Sequence, residues 1–110
     1  MPTTQLAKDR FNHAIQALNP GVNTQVTVST GGSNRMPVDI GIDTVVVRLI
    51  STVDCRIDMD VGTLASASAA SFLLSAGLPE YFRVPQTADG YRVAGLATAA
   101  AGLLDVTEMY

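Results

Sequence analysis

The sequence predicts an all-β protein: a β-sandwich of jelly-roll-like or immunoglobulin-like type, preceded by a short N-terminal helix or extended arm. Three observations carry this. Short runs rich in Val, Ile, Thr, Leu and aromatic residues recur at intervals of roughly 8 to 12 residues. Clusters of Gly, Pro, Ser and Asn separate them. Several runs alternate strictly between apolar and polar residues, the mark of a strand with one face inward.

The first eighteen residues read differently. "TQLAKDRFNHAIQAL" (4–18) places Leu6, Ala7, Phe11, Ala14, Ile15 and Leu18 at spacings of three and four, which predicts an amphipathic helix. Thr3 or Thr4 would cap it and "NPG" at 19–21 would stop it. A helix so short is marginal alone, so it needs its own sheet or a neighbouring subunit to lie on. Leu6, Phe11, Ile15 and Leu18 are therefore candidate interface residues. The expected division is an arm over 1–22 and a sandwich over 23–110, with Gly31-Gly32 as the hinge between the two parts.

Strands are expected at "TQVTVST" (24–30), "DTVVVRLIST" (43–52), "VDCRIDMDV" (53–61), "SFLLS" (71–75), "EYFRV" (80–84), "YRVAGLAT" (91–98) and "LLDVTEM" (103–109). The Ala-rich stretches at 65–70 and 97–101 are too short to bury a helical face and read as loops or strand ends.

"VDCRIDMDV" sharpens the question of function. Val53, Cys55, Ile57, Met59 and Val61 fall on one face, and Asp54, Arg56, Asp58 and Asp60 on the other. Side chains at i and i+2 stand roughly 7 Å apart along a strand. A cation wants oxygens converging at ~2.0–2.6 Å, which a straight row does not provide. Asp39, Asp43 or Asp105 would have to help from elsewhere. The simpler expectation is a solvent-facing or partner-facing strand with same-face ion pairs worth at most about 1 kcal/mol each.

The remaining chemistry is sparse. Cys55 is the only cysteine and lies on the apolar face, so it reads as a buried residue that cannot form an intrachain disulfide. His13 is the only imidazole, and no G-x-S-x-G elbow occurs. "STGGSN" lacks the lysine and following helix of a phosphate loop. No catalytic, cofactor or metal residue is expected. One Lys and six Arg are scattered against ten acidic residues, a net charge of −3, which argues against nucleic acid as a partner. No run approaches the ~18 apolar residues of a membrane helix, and the start has no signal-peptide core, so synthesis and retention in the cytoplasm are expected.

A chain of 110 residues fits one domain. It is 47% apolar but only 15% charged, which suits a surface of small residues partly hidden by neighbours. Strands such as "DTVVVRLI" also make dangerous edges unless they are paired or covered. Both features lean towards assembly.

Residues 44–110 resemble a group of small virion proteins of tailed bacteriophages. The pieces that carry the likeness are "VVRL" (Val46 to Leu49), "T-V-D-C-R-I" (Thr52 to Ile57), "LSAGLPEYFRV" (Leu74 to Val84), Arg92 to Ala94, and "LDVTEM" (Leu104 to Met109). The resemblance implies a β-sandwich of capsid decoration, or cement, type. Such a protein sits as a homotrimer on the outer surface of the head and reinforces joints between major capsid subunits. It also implies the major capsid protein and sister copies as partners, and the virion as the final location. A head–tail or tail-spike adaptor would share the fold and differ in copy number. A cytoplasmic protein that binds a small ligand would need a concave apolar pocket.

Overall fold

The computed structural model describes residues 19–85 and 89–110 in full, together with the backbone of residues 7, 8, 14 and 15. Two short strands, β1 (Ala7–Lys8) and β2 (Ala14–Ile15), pair with each other, Ala7 opposite Ile15 and Lys8 opposite Ala14. The helix expected over 4–18 is thus corrected at these four positions. A helix this short is marginal without a surface for its apolar face, and a short antiparallel pairing forms at these positions instead. Leu6, Phe11 and Leu18 lie outside the described residues, as does the side chain of Ile15.

Eight strands build the body: β3 (Pro20–Val28), β4 (Asn34–Arg35), β5 (Val46–Ser51), β6 (Cys55–Val61), β7 (Phe72–Leu74), β8 (Glu80–Arg83), β9 (Tyr91–Ala97) and β10 (Gly102–Met109). They form two four-stranded antiparallel sheets, ordered β3-β10-β5-β8 and β4-β9-β6-β7. Counting from β3 as the first strand, one sheet holds strands 1-8-3-6 and the other 2-7-4-5. That is the strand order of a jelly roll, two Greek keys folded together. The all-β sandwich expected from the sequence is what forms.

This order explains two local features. "IST" and "VDC" sit almost back to back because residues 52–54 cross from one sheet to the other. Thr52 turns the corner by donating its N–H to the Leu103 carbonyl (2.9 Å) and accepting the Leu103 N–H on Oγ1 (3.0 Å). Gly31-Gly32 likewise joins β3 of one sheet to β4 of the other and is not a hinge to an arm. β3 begins at Pro20, opposite Met109, so residues 20–22 belong to the sandwich.

The core lies between the sheets. Val26, Val28, Val47, Leu49, Leu104 and Val106 come from one sheet, and Cys55, Ile57, Leu74, Val93 and Ala97 from the other, with Met36 and Ile40 closing it. Burial alternates residue by residue along β5 and β10, as a half-buried strand requires. Gly95 faces inward, where an added Cβ would meet Val28 Cγ1 at 2.6 Å and Leu104 Cδ2 at 3.2 Å. The two sheets therefore approach too closely there for any side chain.

Candidate functional site

The acidic row of β6 is brought together on the outer face of its sheet, as the alternation required. Each member bonds backbone of its own chain. Asp54 accepts the Ala76 N–H (2.7 Å), Asp58 the Ser66 N–H (3.1 Å) and Asp60 the Val61 N–H (2.7 Å), while Arg56 donates to the Ser71 carbonyl (3.2 Å). Among the described residues no ion pair joins two members of the row, and these bonds take the place of the expected same-face pairs. Residues 65–70 run as an irregular strap across this face. Ala65 and Ala67 are buried against Ala94 and Leu96. The strap has no ladder partner, so side chains satisfy its backbone: Ser33 Oγ accepts the Ala67 N–H (2.9 Å), and Arg35 donates to the Ala65 carbonyl (3.0 Å). Its small residues let it lie flat on the sheet.

The helper carboxylates considered for a cation do not join the row. Asp39 pairs with Arg92 at 2.7 Å, and Asp105 stands on the other sheet. Among the described residues no group of three or more His, Cys, Asp or Glu is placed to hold a metal ion. Cys55 is buried, and burial raises its pKa, aided by the nearby Asp54 charge and opposed by a hydrogen bond from Ser51. A buried neutral thiol is a poor nucleophile.

The opposite outer face, that of β3-β10-β5-β8, differs. Among the described residues no strand packs across it, and the Ala76–Gly77 loop reaches its edge beside Asp105. Leu103 and Tyr81 are exposed on it, and Val46, Ile50 and Met109 are partly covered. Arg48 lies between Thr107 and Tyr81 in the register. Asp105 stands in the middle, opposite Gln25 and Ile50, and its Oδ1 is buried with no hydrogen-bond partner. A desolvated carboxylate oxygen without a donor is costly. A groove of about 390 Å³ runs beside it, lined by Ile50, Ser51, Thr52, Ala76 and Gly77.

A second concavity opens between the sheets at the β7/β8 side. This apolar cleft of about 250 Å³ is lined by Val47, Leu49, Ile57, Met59, Phe82 and Val93, with Asp58, Ser71 and Phe72 at its edge. Phe72 and Phe82 meet edge to face across the two sheets, with ring centroids 5.3 Å apart.

Sequence reasoning singled out the β6 row, named Asp105 only as a distant helper for a cation, and did not single out Leu103 or Tyr81 as surface residues. The signal was present: Leu103, Asp105, Thr107 and Met109 share one parity of "LLDVTEM", opposite to buried Leu104 and Val106. Comparison with protein-family models, with curated proteins and with solved structures finds no match to any of them.

Proposed function

We propose that this chain is a capsid decoration, or cement, protein. In this reading it binds the outer surface of a tailed-bacteriophage head as a homotrimer and reinforces joints between major capsid subunits. It is a structural protein and not an enzyme. The observation that carries the reading is the outer face of β3-β10-β5-β8, across which no described strand packs, with exposed Leu103 and Tyr81 around the unpartnered Asp105 oxygen. Such a face is suited to a flat partner that supplies a Lys or Arg donor to Asp105, a contact that fixes orientation more than affinity. Jelly rolls are common among viral shell proteins, which supports the reading by analogy of fold alone. A trimer multiplies modest contacts through effective concentration, so no single one need be strong.

The test is mass spectrometry and imaging of purified particles, followed by co-sedimentation of added protein with particles stripped of it. Decoration requires many copies spread over the head and loss of binding in Leu103→Asp. A few copies at one vertex would assign the protein to the head–tail junction. Absence from particles would favour the small-ligand reading, for which the apolar cleft between the sheets is the supporting observation.

A further inference from the structure

β7 accompanies β6 only along residues 55–57, whereas β9 runs beside it from 55 to 61. Hydrogen bonds to the β9 side fix the direction of the backbone groups. The Thr98 N–H donates to the Asp54 carbonyl (3.1 Å) and the Gly62 N–H to the Gly90 carbonyl (2.8 Å). Even-numbered residues of β6 therefore serve β9, and Met59 and Val61 turn their N–H and C=O away from it. The Val61 N–H is taken by the Asp60 carboxylate (2.7 Å). Among the described residues no strand pairs with the two Met59 groups.

The chain vacates this position itself. The β6–β7 ladder sets Phe72 opposite Ile57, and its continuation would set Ala70 opposite Met59 and Ser68 opposite Val61. Instead Ser68 and Ser71 close a turn, the Ser71 N–H donating to the Ser68 carbonyl (3.0 Å) and the Ser68 N–H to Ser71 Oγ (3.0 Å). The residues before this turn lie in the strap, held on the outer face by Ser33, Arg35 and Asp58. What is left is a strand position a few residues long. Towards the core it opens on the apolar cleft between the sheets, with Ile57, Met59 and Phe82 in the walls. On its outer side stand Asp58 and Asp60. Arg56 is committed to the Ser71 carbonyl and Arg92 to Asp39, so no described cation pairs with either carboxylate.

We propose that this position binds an extended segment of a partner protein in which one large apolar residue stands between two Lys or Arg residues. The segment runs antiparallel to β6, in line with β7. Its central residue lies opposite Met59, exchanges both backbone hydrogen bonds with it and directs its side chain into the cleft. The flanking residues fall opposite Asp58 and Asp60 and share their face, because neighbours across a ladder point to the same side. An apolar cavity of ~150 Å³ holds a benzene-sized molecule, so a cleft of about 250 Å³ accepts a Leu, Met or Phe side chain. Backbone bonds supply affinity, and the slot and the two charges supply selectivity, as strand addition requires. The inference does not rest on the capsid reading, which concerns the opposite outer face.

The experiment titrates full-length protein, with no particles present, into labelled pentapeptides and follows fluorescence anisotropy. The reference peptide is Thr-Arg-Leu-Arg-Thr. Replacing its Leu by Ser, or both Arg by Glu, should weaken binding about tenfold or more. N-methylation of the Leu amide removes the donor aimed at the Met59 carbonyl and should abolish binding. N-methylation of an Arg amide, which points away from β6, should change it little. In the protein, Asp58→Asn combined with Asp60→Asn keeps an acceptor oxygen at each place, removes both charges and should erase the difference between Arg-flanked and Glu-flanked peptides. Saturating peptide should slow amide exchange at Met59 and leave the Leu103 face unchanged. Equal binding of the Arg and Glu peptides to wild type, tolerance of the methylated Leu amide, or protection centred on another strand would overturn the proposal. So would failure of the full-length chain to bind, or a Met59 amide already protected in the protein alone, which would assign the edge to this chain or to a second copy.

Discussion

Replacing Gly95 with alanine tests the closest approach in the sandwich. The new Cβ would sit 2.6 Å from Val28 Cγ1 and 3.2 Å from Leu104 Cδ2. The first distance is roughly 1 Å inside ordinary carbon–carbon contact. β9 and β3 lie in different layers, so relief requires parting the sheets or forcing Val28 off its rotamer. Such overpacking costs about 1–3 kcal/mol, against a gain of about 0.5–1 kcal/mol from removing a flexible glycine from a strand. The expected net loss is about 1–2 kcal/mol, a fall in Tm of roughly 4–8 °C measured by circular dichroism. The stronger check is a double-mutant cycle in urea. Val28→Ala alone should cost about 2 kcal/mol through lost methyl groups and a cavity. In the double variant the methyl added at position 95 occupies that space, so the combined loss should be smaller than the sum by at least ~1 kcal/mol. Full additivity, or an unchanged midpoint in Gly95→Ala, would refute the close packing of Gly95 on Val28.

Other outcomes follow from the same contacts. Glu108 is buried and accepts the Thr44 hydroxyl (2.7 Å) and the Gly41 N–H (2.8 Å), so Glu108→Ala should lose about 2–3 kcal/mol in urea unfolding and Glu108→Gln less. Asp58→Ala removes the acceptor that holds Ser66 and should speed hydrogen exchange of the strap, residues 65–70, at a stability cost of ~1 kcal/mol. Asp105→Leu should make the free protein as stable as wild type or more so, by up to ~1 kcal/mol, while weakening particle binding. Cys55 should react with a thiol reagent only at the rate of unfolding. Its raised folded-state pKa means the folded thiol holds its proton longer than the unfolded one, so stability should decline as pH rises past the ordinary thiol range.

The period-two pattern made most strands readable, because each has one face in the core. "LLDVTEM" and "VDCRIDMDV" show which residues face inward, and the structure buries Leu104, Val106, Cys55 and Ile57 accordingly. What alternation does not encode is layer. β5 and β6 read as consecutive strands, yet they lie in different sheets, a choice made by a three-residue corner and by Gly102, where a Cβ would strike Thr52 and Val53. Jelly roll and immunoglobulin-like sandwich therefore looked alike. The start of "DTVVVRLIST" misled for a similar reason: Thr44 is held by Glu108 from β10, a partner 64 residues away, and the strand begins only at Val46. The Ala-rich stretch was legible as non-strand, but its packing on Ala94 was not, since small residues carry no periodic signal. The β6 carboxylates were legible as one face, while their backbone partners depend on loops whose paths no local pattern fixes.

Asn19 and Tyr110 hold each other by a pair of backbone hydrogen bonds, so the sandwich starts and finishes at a single corner. Circular permutants that bridge these residues with a few glycines should keep the native topology and allow the break to be moved to the 31–32 turn. A tag attached behind Tyr110 would emerge beside Asn19, which makes that corner a fixed reference point for fluorescence distance measurements to other parts of the sandwich.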